Sequence, residues 1–179
     1  PGWIAPISES GSAKLINAKP PKYAKKLPAE MKFPPMELDE ETRTLMKEHP
    51  NHPPLKQFLV ETFSKNGGGL RPSAITGPAK LYRIVDPSNE GAGMFWVTEA
   101  QFKALKDRDD WRRIFAVKPE WNLNGWFVEY EVKAGETLPV WRGPAASQKL
   151  EGTDFYLEGG GEQIVFSPGG RDEMIQAMP

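Results

Sequence analysis

An α+β fold, with short helices first and a curved, mostly antiparallel sheet after them, is what this sequence predicts. Three observations carry the prediction. Proline crowds the early chain, with 11 of the 18 prolines in residues 1–77. Apolar residues keep helical spacing between 39 and 63, then alternate with period two from residue 78 onward. The length, 179 residues, suits one domain with an added arm.

Residues 1–36 hold Pro20, Pro21, Pro28, Pro34 and Pro35, with six lysines from Lys14 to Lys32 among them. Proline fixes φ and removes a donor, so this stretch reads as an extended arm that either wraps the domain or links it. Residues 37–77 form a short helical segment. Asp39 caps a helix over 39–48 that carries acid in its first turn, and Pro50 ends it. Leu55, Phe58, Leu59 and Phe63 mark a second helix, opened by Pro53-Pro54 and closed by Gly67-Gly68-Gly69. Residues 78–179 read as the third part, a catalytic domain. LYRIV (81–85) and MFWV (94–97) are strands around a turn at 87–91. Thr98 and Gln101 make a capping box for a helix to about residue 110. IFAV (114–117) reads as a strand. In GWFVEYEV (125–132), Trp126, Val128, Tyr130 and Val132 share one face, with Glu129 and Glu131 on the other. LPVW, DFYLE and QIVFS complete the sheet, and RDEMIQAM adds a terminal helical turn.

Charge and composition remove several function classes. The net charge is −1, so no global basic field steers the chain onto nucleic acid. The first 77 residues carry 11 Lys and Arg against 8 Asp and Glu, and the remainder 12 against 16. No run approaches the roughly 18 apolar residues of a membrane span, and PGWIAPISES lacks the pattern of a signal peptide. With no cysteine, disulfides, zinc-thiolate sites and thiol nucleophiles are excluded. No G-x-S-x-G, P-loop or G-x-G-x-x-G sequence occurs. The only histidines, His49 and His52 in HPNHP, read as solvated loop residues with no third metal ligand nearby.

Four features remain. Arg83 sits inside an apolar strand on the face of Leu81 and Val85. It forks onto a phosphate or carboxylate ligand, or pairs with Glu129 or Glu131. In YLEGGGEQIVF (156–166), three glycines enter a strand and Glu162-Gln163 stand at its mouth. They form either a ligand-approach site that offers a carboxylate and an amide at one point, or a glycine-rich hairpin. WRGPAASQ (141–148) places Arg142, Ser147 and Gln148 at a strand end. The run WRRIFAVKPEWNLNGW (111–126) is core and rim in preference to a base-stacking surface.

Taken in order, these pieces resemble the catalytic domain of NAD+-consuming bacterial toxins. LYRIVDPSNEGAGMFWV, YEV, LPV, GPAA and GGGEQ, spread over residues 78–168, are similar to the tuberculosis necrotizing toxin family of NAD+ glycohydrolases and to the related ADP-ribosyltransferase toxins. The resemblance implies a sheet of that type with NAD+ as substrate and no metal. It assigns Glu162, Gln163 and Arg83 as the catalytic residues. Arg83, Tyr82, Phe95, Trp96, Arg113, Ser147, Tyr156, Gly160 and Gly161 would contact NAD+, with Phe95, Trp96 or Tyr156 stacking nicotinamide. The glycohydrolases carry a histidine between their Arg and Gln motifs. Here Arg112 or Arg113 takes its place, or nothing does. Glu162 favours ADP-ribosyl transfer to a protein or RNA over hydrolysis. The implied setting is a secreted polymorphic effector, acting in the target cell's cytoplasm and held in check by a cognate immunity protein, with no membrane partner.

Overall fold

The computed structural model describes residues 21–29, 34–85, 94–119 and 126–166. The first twenty residues of the arm, the turn at 87–91 and the terminal helical turn lie outside the described residues.

Helix α1 (Glu40–Glu48) begins at Asp39, whose carboxylate accepts from the Thr42 amide at 2.9 Å. The second expected helix is shorter than its spacing implies. Helix α2 covers only Gln57–Val60, because Phe63 leaves it to bridge Ala145 and Ser64 bridges Pro35. The single helix expected after Thr98 is two. Thr98 and Gln101 form the capping box of α3 (Glu99–Ala104), and Asp107 then caps α4 (Arg108–Phe115) by accepting from the Asp110 amide at 2.9 Å. The strand expected at 114–117 is the C-terminal end of α4. Ala116 closes that helix in the left-handed region at φ 50°, and Trp111 and Phe115, four residues apart, face the core. Four residues of apolar character are too few to separate a strand from a helix end.

Among the described residues there are nine strands, in chain order: β1 (Lys25–Lys26), β2 (Arg71–Thr76), β3 (Ala79–Val85), β4 (Phe95–Thr98), β5 (Trp126–Val132), β6 (Thr137–Pro144), β7 (Gln148–Lys149), β8 (Phe155–Leu157) and β9 (Glu162–Val165). Every pairing is antiparallel. Six strands form one sheet in the order β2-β6-β9-β4-β3-β5, and three form another in the order β1-β8-β7. β1, β2 and β7 carry no strand signal in the sequence analysis. β1 shows that residues 25–26 of the arm are built into a sheet, where Lys25 pairs with Tyr156 and Tyr23 beside them is buried.

The order of the large sheet explains its curl. β2 and β3 stand four strand spacings apart, about 19 Å in a flat sheet. Only Gly77 and Pro78 join them, a link that reaches about 11 Å at most. The sheet therefore folds back on itself, and one cluster fills the inside of the curl. It draws Val140 from β6, Ile164 from β9, Trp96 from β4, Leu81 from β3 and Val128, Tyr130 and Val132 from β5. Two layers cover the outside. Leu55, Val60, Phe63 and Leu70 pack on Trp141 and Val165, with Leu45 and Met46 of α1 against them. Phe102, Leu105, Trp111 and Phe115 pack on Tyr82.

Candidate functional site

The six-stranded sheet has a seam at β4. Phe95 and Trp96 pair with Val165 and Ile164 of β9, while Val97 and Thr98 pair with Tyr82 and Leu81 of β3. β4 thus changes partner halfway along. Beyond Tyr82, β3 has left it, and short of Ile164, β9 has not yet reached it. Strands that part in this way leave a gap in the sheet. A cleft of about 670 Å³ lies there. One wall is Tyr82, Arg83 and Ile84, and β4 supplies Phe95, Trp96 and Val97. Trp111, Phe115, Ala116 and Val117 of α4 and its end form another side. Ala146, Ser147, Gln148 and Gln163 close it, with Phe58, Glu61 and Thr62 along the rim.

Arg83 is the exceptional group in this cleft. Its Nη1 donates to the Phe95 carbonyl at a long 3.4 Å, and its buried Nε has no hydrogen-bond partner. Burial alone lowers the guanidinium below its ordinary value, with no carboxylate pulling the other way. The expected alternative, a pair with Glu129 or Glu131, does not form. Glu129 is in register with Tyr82 and Glu131 with Lys80, so both carboxylates leave the sheet on the side away from Arg83. Glu129 accepts from the Tyr82 hydroxyl at 2.6 Å and lies 3.5 Å from Lys80 Nζ. Burial, then the bond and charge of Glu129, hold the Tyr82 phenol above its usual value. A desolvated cation without a counter-ion among the described residues is costly and is an open position for an anion.

The expected catalytic pair is divided. Successive strand residues face opposite ways, and β9 turns Gln163 to the cleft and Glu162 away from it. Gln163 is buried and donates from Nε2 to Thr62 O at 3.0 Å and to Thr62 Oγ1 at 3.2 Å. Glu162 does not line the cleft. It is held between Arg71 of β2 and Arg142 of β6, the latter at 3.1 Å. Partial burial raises its carboxyl, but the hydrogen bonds and charges of Arg142 and Arg71 outweigh that and hold it below its usual range.

The three glycines serve packing. A Cβ on Gly161 would lie 2.8 Å from the Ile114 carbonyl, and one on Gly159, already at φ +72°, 2.7 Å from the Ala145 carbonyl. The Gly159 and Gly161 amides donate to Arg113 O and Ile114 O, and Gly160 donates to Ala145 O. The close approach that glycine permits here is to the end of α4 and to the 145–146 segment. Neither Gly160 nor Gly161 lines the cleft.

Of the other expected contacts, Tyr82, Phe95, Trp96 and Ser147 line the cleft, while Arg113 and Tyr156 do not. The Trp96 ring belongs to the core, with centroids 5.1 Å from Phe166 and 6.0 Å from Tyr130. Ser147 donates to Glu158 O at 2.7 Å, and Arg113 pairs with Asp110 at 2.8 Å. Arg112, the other substitute for a missing histidine, is fully buried over the Trp111 ring. The histidines are half-buried and packed rather than free in a loop: both rings lie against Trp141, at 5.9 and 5.0 Å, and donate to Leu45 O and Ser73 O. Among the described residues, no group of three His, Asp or Glu side chains is placed to hold a metal.

Sequence reasoning missed Phe58, Glu61 and Thr62. Phe58, which the spacing places in the second helix with Leu55, Leu59 and Phe63, is 56% exposed at the cleft rim. Leu55, Leu59 and Phe63, each four residues apart, make the buried face, and Phe58 falls outside that row. Nothing in the local sequence marks Thr62, which meets Gln163 across 101 positions.

No protein-family model, curated protein or solved structure matches the chain.

Proposed function

We propose that this protein consumes NAD+, breaking the bond between nicotinamide and ribose in the cleft at the β4 seam of a sheet of the ADP-ribosyltransferase and NAD+ glycohydrolase type. The observation that carries the reading is the pairing of an uncompensated guanidinium, Arg83, with a buried amide, Gln163, in one cleft. The pyrophosphate supplies the anion that Arg83 lacks. Cleavage passes through an oxocarbenium-like state, and the carbonyl end of the Gln163 amide stabilises its positive charge. Nicotinamide departs neutral when the C1′–N bond breaks, so no general acid is required. Water then forms the new C1′–O bond and releases its proton, giving ADP-ribose.

Water is the favoured acceptor, because Glu162, the carboxylate that a transferase would direct at an acceptor, is engaged by Arg71 and Arg142 outside the cleft. One observation supports a second reading, ADP-ribosyl transfer to a protein or RNA. Glu61 lies on the cleft rim and provides a carboxylate from another element. In either form the protein is an effector toxin of the target-cell cytoplasm, restrained by an immunity protein.

The test is nicotinamide release from NAD+ by purified protein, with and without cell extract. Free ADP-ribose is the expected product. Label retained on protein or RNA favours the second reading. No release under either condition defeats both and leaves a non-catalytic binding module.

A further inference from the structure

We propose that Thr62 is a positioning residue that fixes which end of the Gln163 amide faces the cleft. Each bond at Thr62 constrains the next. Its backbone amide and its hydroxyl both donate to Leu59 O, at 3.2 and 2.7 Å. The hydroxyl proton is thereby spent, so Oγ1 meets Gln163 only as an acceptor. The Thr62 carbonyl, an acceptor by nature, also takes the Ala146 amide at 2.8 Å. Gln163 faces two acceptors and answers with Nε2, 3.0 Å from the carbonyl and 3.2 Å from Oγ1. A flipped amide would set Oε1 against two oxygens at a site only 7% exposed, an opposition of acceptors that burial makes costly. The amide nitrogen is committed to Thr62. Oε1 is then the amide atom with no partner among the described residues, and the cleft is offered an acceptor in place of a donor.

Two elements make this lock possible. Thr62 lies just beyond α2, where the chain turns to bridge Ala145, and Gln163 projects from β9 beside the same segment. The cleft is consequently polarised, with the Arg83 donors on one wall and an amide acceptor on another. The catalytic consequence rests on the NAD+ reading above: the carbonyl end of the dipole stabilises a ribosyl cation, and the amino end would oppose it. The lock itself does not depend on the identity of the substrate.

The experiment therefore has two readouts. Side-chain amide exchange is followed by NMR on the 15N-labelled full chain, with the Gln163 resonances assigned by their loss in Gln163→Ala. Thr62→Val keeps the shape and removes the hydroxyl acceptor, leaving Gln163 Nε2 the backbone carbonyl alone, and Thr62→Ser keeps both acceptors. In the wild type and Thr62→Ser, the Gln163 amide protons exchange slowly. In Thr62→Val they exchange about tenfold faster, and kcat on NAD+ falls about tenfold with KM unchanged, because Thr62 orients the amide without touching substrate. If the valine variant is too unstable to study, Thr62→Ala replaces it. Unchanged Gln163 exchange in the folded Thr62→Val or Thr62→Ala protein overturns the proposal. Faster exchange in a protein whose wild type never turns over NAD+ supports the lock and defeats the NAD+ reading.

Discussion

Arg83 occupies a place where proteins rarely leave a cation unpaired, and its two expected roles make opposite predictions about stability. A structural ion pair would make any truncation costly, because a carboxylate would be stranded. In this structure the neighbouring carboxylates are on the other face, Glu129 engaged with Tyr82 and Lys80 and Glu131 exposed, so neither is stranded by its loss. Arg83→Met should therefore raise the unfolding free energy by about 1 kcal/mol, or roughly 2–4 °C in melting temperature. Nicotinamide release should meanwhile fall on the order of 10²-fold. Thermal melts beside the NAD+ assay check both. Glu162 behaves in the opposite way. Its folded carboxyl titrates below the ordinary 4.5, so it contributes stability in full above that value and loses it as pH falls through the lower folded value. The arginines are partly solvated, which keeps the contribution near 1 kcal/mol. Glu162→Gln should be less stable than wild type by about that amount at neutral pH, and the gap should close in acid, once pH falls below the lowered folded value. Urea titrations at neutral and acid pH measure it.

At the level of elements, the glycine run and the arm both serve packing more than their sequences imply. The end of α4 rests on 159–161 through two amide-to-carbonyl bonds, and β9 begins one residue later with Glu162. Gly161→Ala would push a methyl group against the Ile114 carbonyl and the Phe115 ring, so α4 and β9 must separate. We expect a loss of about 1–3 kcal/mol, as for other overpacked sites. Turnover should fall as well, because Gln163 lies two residues on. A urea midpoint and the NAD+ assay on the same variant test the coupling. The arm reads in sequence as an extended stretch that either wraps the domain or links it. Tyr23, however, is buried with Leu150 and Leu157, and Lys25-Lys26 complete the small sheet. Removing residues 1–36 should therefore cost about 3 kcal/mol, the loss of one large buried side chain, with Tyr23→Ala accounting for most of it. A truncated chain that melts with wild type, while Tyr23→Ala does not, would contradict this assignment.

For the whole molecule, curl and seam are two results of one strand order. The short Gly77-Pro78 link closes β2 toward β3, and β4 can then satisfy β9 over only two residues and β3 over two others. The walls of the cleft thus come from both halves of the sheet, and a ligand that fills it bridges them. A non-hydrolysable NAD+ analogue should stabilise the protein by about 2.7 kcal/mol at one hundred times its dissociation constant. The same analogue should leave the Arg83→Met melting temperature unchanged. A shift in the variant equal to that of wild type would place the ligand elsewhere.

Local chemistry determined much of what the sequence expressed. Asp39 with acid behind it, the Thr98–Gln101 box and the alternation of Val128, Tyr130 and Val132 each need only neighbours within four residues. Arg83 was legible for the same reason, since a cation inside an apolar strand is anomalous before any fold is known. Other features were decided by tertiary structure. The alternation at Glu162-Gln163 requires opposite faces, but only the pairing of β9 with β6 and β4 says which face meets the cleft. Whether Arg83 finds a counter-ion depends on the register of β3 with β5. The glycines of 159–161 admit a neighbour closely in any reading. That the neighbour is α4 depends on a contact some forty-five residues away in sequence. Thr62 has no local signal at all, because its role exists only where α2 and β9 meet. Hydrogen bonds within a turn are specified by the residues in it, whereas the partner of a buried polar group is specified by whatever the chain brings back to it.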